Sequence, residues 1–200
     1  MTHLSLFSGI GGLDLAAEWA GFKTIGFCEW AEYPRKILQK RWPGIPIWRD
    51  IKTLTKESFH ERTGLRTVDI LSGGFPCQPF SHAGRRKGVD DDRYLWPEML
   101  RVIDELRPAW VVGENVAGIV SMAESASDFE VESREIARNP DADYYHSVLS
   151  RQETMLLPSI LQDLEDCGYT VQTFIIPACG VDAPHERSRV AIVAHNAGRK

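Results

Sequence analysis

The N-terminal stretch HLSLFSGIGGLDLAAEWAG, residues 3–21, constrains the fold more than any other part of the chain. Its first five residues, residues 3–7, are mostly apolar and predict a strand, and the glycine turn SGIGG follows directly. Apolar side chains then recur at helical spacing before a glycine that ends the helix: Leu13, Ala16, Ala17, Ala20 and Gly21. A strand that runs through a short turn into a helix is the first half of a βαβ unit, so the sequence predicts a parallel sheet.

The same alternation of strands and helices continues along the rest of the chain. Further strands are predicted at residues 23–30, 67–73, 109–115, 169–178 and 188–194. Helices are predicted at 31–42, at about 93–107, and in a segment that ends near Gly168, in which Pro158 marks a kink or the true start. The sequence therefore predicts one doubly wound α/β domain over residues 1–200 with a largely parallel sheet, interrupted by a polar surface excursion at about 121–147.

The composition excludes several classes of protein. Lys and Arg total 23 against 28 Asp and Glu, a net charge of -5, which argues against a protein that coats nucleic acid through charge alone. No long uncharged apolar run is present, and no basic N-terminal region precedes an apolar one, so neither a transmembrane helix nor a signal peptide is expected. Four widely spaced cysteines predict neither a disulfide framework nor a metal site, and they favour the reducing cytoplasm.

The glycine turn at residues 8–12 is followed by acidic and aromatic residues that suit a nucleoside. Glu29 stands at the end of the second predicted strand, where a carboxylate accepts hydrogen bonds from a ribose diol, and Trp30 offers a ring on which adenine can stack. Asp50 follows the short apolar run IPIW, residues 45–48, as the next strand end. The alternative, that both carboxylates are solvated strand ends and Trp30 belongs to the core, is equally open at this point. No GK[ST] motif is present, so a ligand with adenosine but no pyrophosphate fits better.

Cys77 lies between Pro76 and Gln78 in the stretch LSGGFPCQPFSHAGRRKG, residues 71–88. Most unpaired cysteines are small core residues, but the neighbouring prolines and the basic segment that follows are typical of a loop. The basic run GRRKG, residues 84–88, is either a solvated loop or a contact to phosphate groups. The pattern favours a reactive thiol in a loop over a buried structural one.

Five blocks of the sequence, in this order, resemble the DNA (cytosine-5) methyltransferases. The blocks are LSLFSGIGGLDLAAEWAGF, CEWAEYP with WRDI, GGFPCQPFSHAGRRKG, GENVAGI and CGVDAPHERSRVAIVA. The proline–cysteine–glutamine loop is the most specific of them, and five blocks in the family's order argue against chance similarity. One position departs from the pattern, because His185 stands where many members have glutamine.

The resemblance implies that the domain binds S-adenosyl-L-methionine. The residues that would line the cofactor pocket are Phe7, Gly9, Ile10, Gly11, Gly12, Glu29, Trp30, Asp50, Ile51, Gly74, Pro76 and Leu95. The residues that would act on the cytosine are the nucleophile Cys77, the acid Glu114, and two arginines that alternate along the start of a strand, Arg187 and Arg189. The residues that would contact DNA are Ser81, Arg85, Arg86 and Lys87. No metal is expected.

The implied chemistry explains these residue types. Cytosine C5 is too electron-poor to attack a methyl donor, whereas addition of the Cys77 thiolate at C6 makes C5 nucleophilic. Charge then moves toward N3, where the carboxyl group of Glu114 can protonate or hydrogen-bond the ring. The methyl group passes from the sulfonium to C5, and loss of the C5 proton expels the thiol. The cytosine must be flipped out of double-stranded DNA for these steps.

Members of this family normally continue past the paired arginines into a target-recognition domain and two further motifs. The domain is therefore expected to be incomplete at its C-terminus, with double-stranded DNA and a separate chain that carries the recognition domain as partners. A competing hypothesis is a non-catalytic or split-enzyme remnant that binds cofactor or a partner chain and is inactive alone. A dinucleotide enzyme with a redox cysteine, and a relative that methylates transfer RNA, also stay open as hypotheses.

Overall fold

The computed structural model describes residues 1–76, 94–121 and 156–198. Within these ranges the chain forms seven strands and five α-helices, joined by short turns and single 3₁₀ turns. In chain order the elements are β1 (Thr2–Leu6), α1 (Gly12–Trp19), β2 (Lys23–Cys28), α2 (Glu32–Arg41), β3 (Ile47–Trp48), α3 (Lys56–Thr63), β4 (Ile70–Gly73), α4 (Trp96–Leu106), β5 (Trp110–Val116), α5 (Leu156–Asp166), β6 (Tyr169–Ile176) and β7 (Arg189–Asn196).

The strands form one sheet in the order β3-β2-β1-β4-β5-β7-β6. The first five strands in this order are mutually parallel, and β7 is antiparallel to both of its neighbours. Because parallel strands point the same way, the carboxyl ends of β1 to β5 share one edge of the sheet. The predicted doubly wound, largely parallel α/β fold is confirmed.

Alternate residues of each strand bury against different helices. On one face, Leu4, Leu71 and Val111 stand in register across β1, β4 and β5, and they belong to the large core that α3, α4 and α5 cover. On the other face, a smaller cluster forms around Phe27 of β2 and Trp42, beneath α1 and α2. Parallel sheets require cover on both faces, so the strands carry apolar residues at consecutive positions.

Helix α3 (Lys56–Thr63) is an element that the sequence pattern did not predict. Its single buried residue is Phe59, so the segment lacks the apolar periodicity of an amphipathic helix. Its signals are at its ends: Thr55 and Ser58 form a capping box, and Gly64 ends the helix with φ 73°. Capping residues therefore carried the information that hydrophobic spacing did not.

Three predicted strands are shorter in the structure than in the sequence pattern, among them the one expected at 169–178, which ends at Ile176. The strand expected at 23–30 ends at Cys28, and the one expected at 67–73 begins at Ile70. Helix α5 is described from Leu156 to Asp166 and contains Pro158, the residue expected to mark a kink or the true start. Most of the surface excursion expected at 121–147 lies outside the described residues. None of the helices in the described ranges has the length and apolarity needed to cross a membrane.

The core around Leu71 provides a stability prediction. Leu71 is fully buried in the central strand β4, so Leu71→Ala leaves a cavity that the paired strands cannot close, and we expect the free energy of unfolding to fall by about 2–5 kcal/mol. Urea denaturation followed by circular dichroism measures this. Leu65→Ala is the matched control, because Leu65 is 38% exposed, and its effect should stay below about 1 kcal/mol. Equal losses in the two variants would contradict this account of the core.

Candidate active site at the carboxyl edge of the sheet

The glycine turn between β1 and α1 is held to the end of β2 by hydrogen bonds. Ser8 N–H donates to the Cys28 carbonyl at 3.2 Å, and Gly11 N–H donates to the Ser8 carbonyl at 3.0 Å. Gly9 and Gly11 have φ of 55° and 92°, in the left-handed region that favours glycine. Phe7 also has a positive φ, 52°, which is unusual for a residue with a side chain and marks a strained entry to the turn.

The glycines of this turn have different surroundings. A Cβ atom on Gly11 would lie 2.5 Å from Cη2 and Cζ3 of Trp42. The indole of Trp42, the residue that follows α2, therefore packs directly on the turn backbone. Cβ atoms on Gly9 or Gly12 would meet no heavy atom within 4 Å. Ile10, at the tip of the turn, is exposed. Gly11 therefore serves packing, whereas Gly9 and Gly12 leave open space along the turn.

The carboxylate of Glu29 is fixed above the glycine turn. Its Oε2 accepts the Gly9 N–H at 2.8 Å and its Oε1 accepts the Ala31 N–H at 2.7 Å. A carboxylate has about four acceptor positions, so each oxygen keeps one for a ligand hydroxyl. The backbone of this segment is also fixed, because the buried Arg35 donates to the carbonyls of Glu29 and Trp30.

The indole of Trp30 is 75% exposed, which excludes the alternative that it belongs to the core. Asp50 follows β3, and its Oδ1 accepts the Lys52 N–H at 2.9 Å, while Ile51 beside it is buried. Arg101 of α4 holds this corner, since its guanidinium donates to the Ile51 carbonyl at 2.9 Å. The two acidic strand ends predicted from the sequence therefore lie on neighbouring strands, with an exposed aromatic ring between them in the chain.

A second group of predicted residues meets at the ends of β4 and β5. A Cβ atom on Gly74 would lie 3.1 Å from Glu114 Oε2, so the backbone that leaves β4 passes directly beside this carboxylate. The buried Asn115 donates from Nδ2 to the Phe75 carbonyl at 3.0 Å. These contacts fix the segment that leads to the half-buried Pro76, the residue before Cys77.

Glu114 forms an ion pair across the antiparallel strands. Arg189 Nε lies 2.8 Å from Glu114 Oε1, and both side chains are partly exposed. Arg189 is the first residue of β7 and pairs with Val116, so it reaches Glu114 diagonally along the β5–β7 ladder. One carboxylate oxygen is thereby held by the guanidinium, and the other faces Gly74.

The expectation that Arg187 and Arg189 alternate along one strand is wrong. Strand β7 begins at Arg189, and Arg187 lies before it with φ 27° and an exposed side chain. The chain is bent here because the Glu186 carbonyl accepts the Ala178 N–H at 2.6 Å, which ties the approach to the 3₁₀ turn after β6. Leu95 is half-buried at the start of α4, and its carbonyl accepts the Met99 N–H at 3.1 Å.

Several predicted site residues lie outside the described ranges: Cys77, Ser81, Arg85, Arg86 and Lys87. Among the thiols that are described, Cys28 is buried, and burial raises its pKa to about 12, so it stays protonated. Burial likewise raises the pKa of Cys167, and Cys179 is exposed. No group of three or more metal-ligating side chains that could hold an ion occurs in residues 1–76, 94–121 and 156–198.

Four residues that support the site were not singled out from the sequence: Arg35, Trp42, Arg101 and Asn115. Each acts on the backbone of a predicted site residue or, for Asn115, on that of Phe75 between Gly74 and Pro76, by hydrogen bonds to carbonyl groups or by packing on Gly11. Asn115 stood in the GENVAGI block and carried that signal. Arg35, Trp42 and Arg101 could not be identified in this way, because the residues next to an arginine or tryptophan in the sequence do not reveal which distant residue it contacts.

The strand order defines a Rossmann-like α/β fold, which solved methyltransferase structures share. The family model of C-5 cytosine-specific DNA methylases matches residues 1–135 and 146–200, and the chain belongs to this family.

The relatives and a solved structure agree with this assignment. M.FnuDI of Fusobacterium nucleatum, a Type II methyltransferase, is 29% identical over 194 residues, which cover 96% of this chain and 46% of M.FnuDI. M.AquIA of Picosynechococcus sp. is 30% identical over 200 residues, covering 98% of this chain and 72% of the relative. The structure of the S. pombe Dnmt2 methyltransferase matches 98% of this chain and 50% of its own length, with a TM-score of 0.66 and 21% identity. The chain thus spans about half the length of M.FnuDI and Dnmt2.

The surroundings of the turn glycines lead to a paired prediction. Gly11→Ala places a methyl group against Trp42 at a positive φ, and we expect a loss of unfolding free energy of about 2–4 kcal/mol from strain and overpacking together. Gly12→Ala meets open space at the first residue of α1 and should change stability by less than about 1 kcal/mol. Thermal and urea denaturation compare the two variants. A Gly11→Ala protein as stable as Gly12→Ala would show that Trp42 does not confine the turn.

Proposed function

We propose that the chain is the cofactor-binding and catalytic part of a DNA (cytosine-5) methyltransferase. It would transfer a methyl group from S-adenosyl-L-methionine to C5 of a flipped-out cytosine, through a covalent bond to Cys77. The observation that carries the proposal is the convergence of three sequence blocks at one edge of the sheet. Gly74 and Phe75, which lead to Cys77, contact Glu114 and Asn115, and Glu114 pairs with Arg189.

The first group of residues fits S-adenosyl-L-methionine, which would supply an electrophilic methyl group on a sulfonium. Open space beside Gly9 and Gly12 allows a ligand to approach the turn backbone. Glu29 retains acceptor positions for the ribose hydroxyls, and the exposed ring of Trp30 offers a stacking surface for adenine. Asp50 and Ile51 would contact the base edge, and Phe7, Ile10, Gly11, Gly74, Pro76 and Leu95 would complete the pocket.

The second group of residues would act on the cytosine. The thiolate of Cys77 would add at C6, which requires a lowered thiol pKa, and the guanidinium groups of Arg187 and Arg189 would supply the positive charge that favours it. Arg189 orients Glu114 by holding Oε1, so that Oε2 would face the N3 and exocyclic amine of the base. Ser81, Arg85, Arg86 and Lys87 would contact DNA phosphates, and Arg187, exposed before β7, would approach the flipped base.

One face of the sheet supports a protein partner, or further polypeptide, over β5, β7 and β6. Among the described helices, only α1 and α2 pack on this face, over the β2 side of the sheet. Four apolar side chains on the same face are between 38% and 49% exposed: Trp110, Val116, Phe174 and Ile176. A largely parallel sheet is normally covered on both faces. M.FnuDI is about twice as long as the region that this chain matches. We propose that a polypeptide equivalent to the unmatched part of M.FnuDI covers this face, either in the same chain or as a second chain.

The second candidate function follows from this face: the chain binds cofactor or a partner and is inactive alone. We therefore expect little or no methyl transfer by the isolated 200-residue chain. Turnover should appear when the part of M.FnuDI that has no counterpart in this chain is supplied as a separate polypeptide. The same proposal places the reaction in the cytoplasm. It also assigns the chain to a restriction–modification system, which the relatives' names suggest.

Cofactor binding gives a prediction that does not depend on DNA. Calorimetry should detect S-adenosyl-L-methionine binding, and Glu29→Gln should weaken it about 10- to 100-fold, because a charge-assisted hydrogen bond to the ribose is lost. Glu57→Gln is the control, since Glu57 is an exposed carboxylate on α3, and its affinity should equal that of the parent protein. Equal binding by Glu29→Gln, or tight nicotinamide binding instead, would refute the proposed pocket.

Methyl transfer gives the second prediction, measured with radiolabelled cofactor in the presence of the supplementary M.FnuDI part. Cys77→Ala should abolish transfer, and Glu114→Gln should lower its rate about 10²- to 10⁴-fold through loss of acid catalysis. DNA containing 5-fluorocytosine, which has no C5 proton to lose, should form an adduct with the parent protein that survives denaturation, and none with Cys77→Ala. Adduct formation with RNA and not DNA would favour the transfer-RNA hypothesis, and cofactor binding without transfer to either would favour the inactive remnant.

A further inference from the structure

A cluster of buried polar side chains lies between α1 and the sheet, beneath the glycine turn. It contains His3 and Ser5 of β1, Asp14 of α1, Thr24 of β2 and Ser72 of β4, and none of these residues is more than 4% exposed. None of them belongs to the residues assigned to the cofactor, the cytosine or DNA. Buried polar groups are costly unless they are hydrogen-bonded, so the state of each group can be read from its partners.

The ring of His3 is satisfied as a neutral imidazole. Its Nδ1 lies 2.9 Å from Thr24 Oγ1 and its Nε2 lies 2.7 Å from Ser72 Oγ. A neutral ring has one donor and one acceptor nitrogen, and a hydroxyl can serve either role, so both contacts are complete without a charge. The carboxylate oxygen nearest to the ring, Asp14 Oδ1, is 3.9 Å from Nδ1 and outside hydrogen-bond distance. Burial lowers the pKa of His3 to about 4.

Asp14 has the opposite preference. Within the described residues, neither carboxyl oxygen of Asp14 has a hydrogen-bond partner, and neither has Ser5 Oγ. Burial raises the pKa of Asp14 to about 6, the charge of Glu18 one turn along α1 adds to the effect, and the nearby Ser5 hydroxyl and the backbone oppose it. The dipole of α1 favours an anion in this first turn, but loss of solvation outweighs it.

We propose that Asp14 is a positioning residue for the glycine turn, seated as a neutral acid beside neutral His3. In the unfolded chain at mildly acidic pH, the same two residues are a carboxylate and an imidazolium. Folding moves one proton from the His3 ring to a carboxyl oxygen of Asp14, with no net uptake or release, so that no isolated charge is buried. Ionisation of Asp14 in the folded protein leaves a buried carboxylate whose lost solvation the Ser5 hydroxyl and the backbone do not offset, and it weakens the docking of this helix on the sheet.

The connection from Asp14 to the turn is short. Helix α1 begins at Gly12, two residues before Asp14, and the Leu15 N–H donates to the Gly11 carbonyl at 3.1 Å. Gly11 is confined by Trp42, while the Gly9 N–H holds Glu29. A displacement of the first turn of α1 therefore reaches the backbone that would hold the cofactor. In naming S-adenosyl-L-methionine as the ligand of the turn, this inference rests on the proposed function.

The pH dependence of stability has a defined sign for each residue. The pKa of Asp14 is raised from 3.8 to about 6 on folding, so its contribution falls as pH rises through this window. The pKa of His3 is lowered from 6.5 to about 4, so its contribution is lost as pH falls from 6.5 to about 4. Among the residues that the structure describes, Glu18 is the charged group that acts on this pair, and its Oε1 accepts a hydrogen bond from Trp42 Nε1. The two slopes oppose each other in the parent protein.

Single variants separate the two slopes, which urea denaturation measures between pH 4 and pH 7. For Asp14→Asn, which resembles the protonated acid, stability should rise with pH because only the histidine slope remains. For His3→Gln, which keeps polar contacts to Thr24 and Ser72, stability should fall as pH rises. The exposed Glu61→Gln and His60→Gln are controls that remove one carboxyl group and one imidazole from α3, and they should follow the parent profile. Parent-like profiles in Asp14→Asn and His3→Gln would overturn the proposal.

Two spectroscopic readouts need neither cofactor nor a variant that folds. At pH 5, infrared spectroscopy of the parent protein should show the carbonyl stretch of a buried protonated carboxylic acid, which disappears as pH rises through about 6. Nitrogen NMR should show a neutral His3 ring throughout this range, and the amide signals of Gly11 and Gly12 should shift with the same midpoint as the acid. A charged His3 at pH 5.5, or turn amides that do not follow Asp14, would contradict the proposal even if cofactor binds.

The cofactor readout is the affinity for S-adenosyl-L-methionine as a function of pH. In the parent protein the affinity should fall about tenfold between pH 5 and pH 7.5, which corresponds to a pKa difference of about one unit for Asp14 between bound and free protein. In Asp14→Asn the affinity should not change with pH and should equal the affinity of the parent protein at pH 5. A profile that is the same in both proteins would refute the positioning role, whereas no binding by either protein with intact spectroscopic results would refute the proposed function alone.

Discussion

The parallel pairing of β1 with both β2 and β4 is the constraint on which the rest of the structure depends. This pairing places the carboxyl ends of three strands side by side, and β3 and β5 extend the same edge outward. Every turn that leaves this edge then exposes backbone N–H groups and side chains to one common space. The Gly9–Glu29 bond and the Gly74–Glu114 contact both exist because of this alignment.

The two faces of β1 show how one strand serves two purposes. Leu4 and Leu6 enter the large apolar core, whereas His3 and Ser5 face α1 and form a polar cluster in a place where apolar residues would pack as well. Such a cluster gives less stability than an apolar layer, because its groups lose solvation and only some regain hydrogen bonds. What it adds is dependence on protonation, directly beneath the turn that begins α1.

Much of the fold and part of the site could be predicted from the sequence. The glycine turn and the acidic residue after β2 are local signals, because each depends on the backbone conformation of a few adjacent residues. Helix α3 escaped prediction since Phe59 is its only buried side chain. Arg187 was predicted to lie on a strand, but β7 begins only at Arg189. The bend before β7 depends on a hydrogen bond between Ala178 and Glu186, which are not adjacent in sequence. Arg35, Arg101 and Asn115 act on distant carbonyls that no sequence window contains.

The sequence by itself determined the class of fold and the family, since these follow from periodicity, turn chemistry and ordered motifs. Only the tertiary structure decided which groups meet and which of them are removed from water. The ion pair between Glu114 and Arg189 requires β7 to insert antiparallel beside β5. The solvation of Asp14 and His3 depends on helix α1 closing over the sheet. Distance and desolvation are properties of packing, and packing joins residues that lie far apart in the chain.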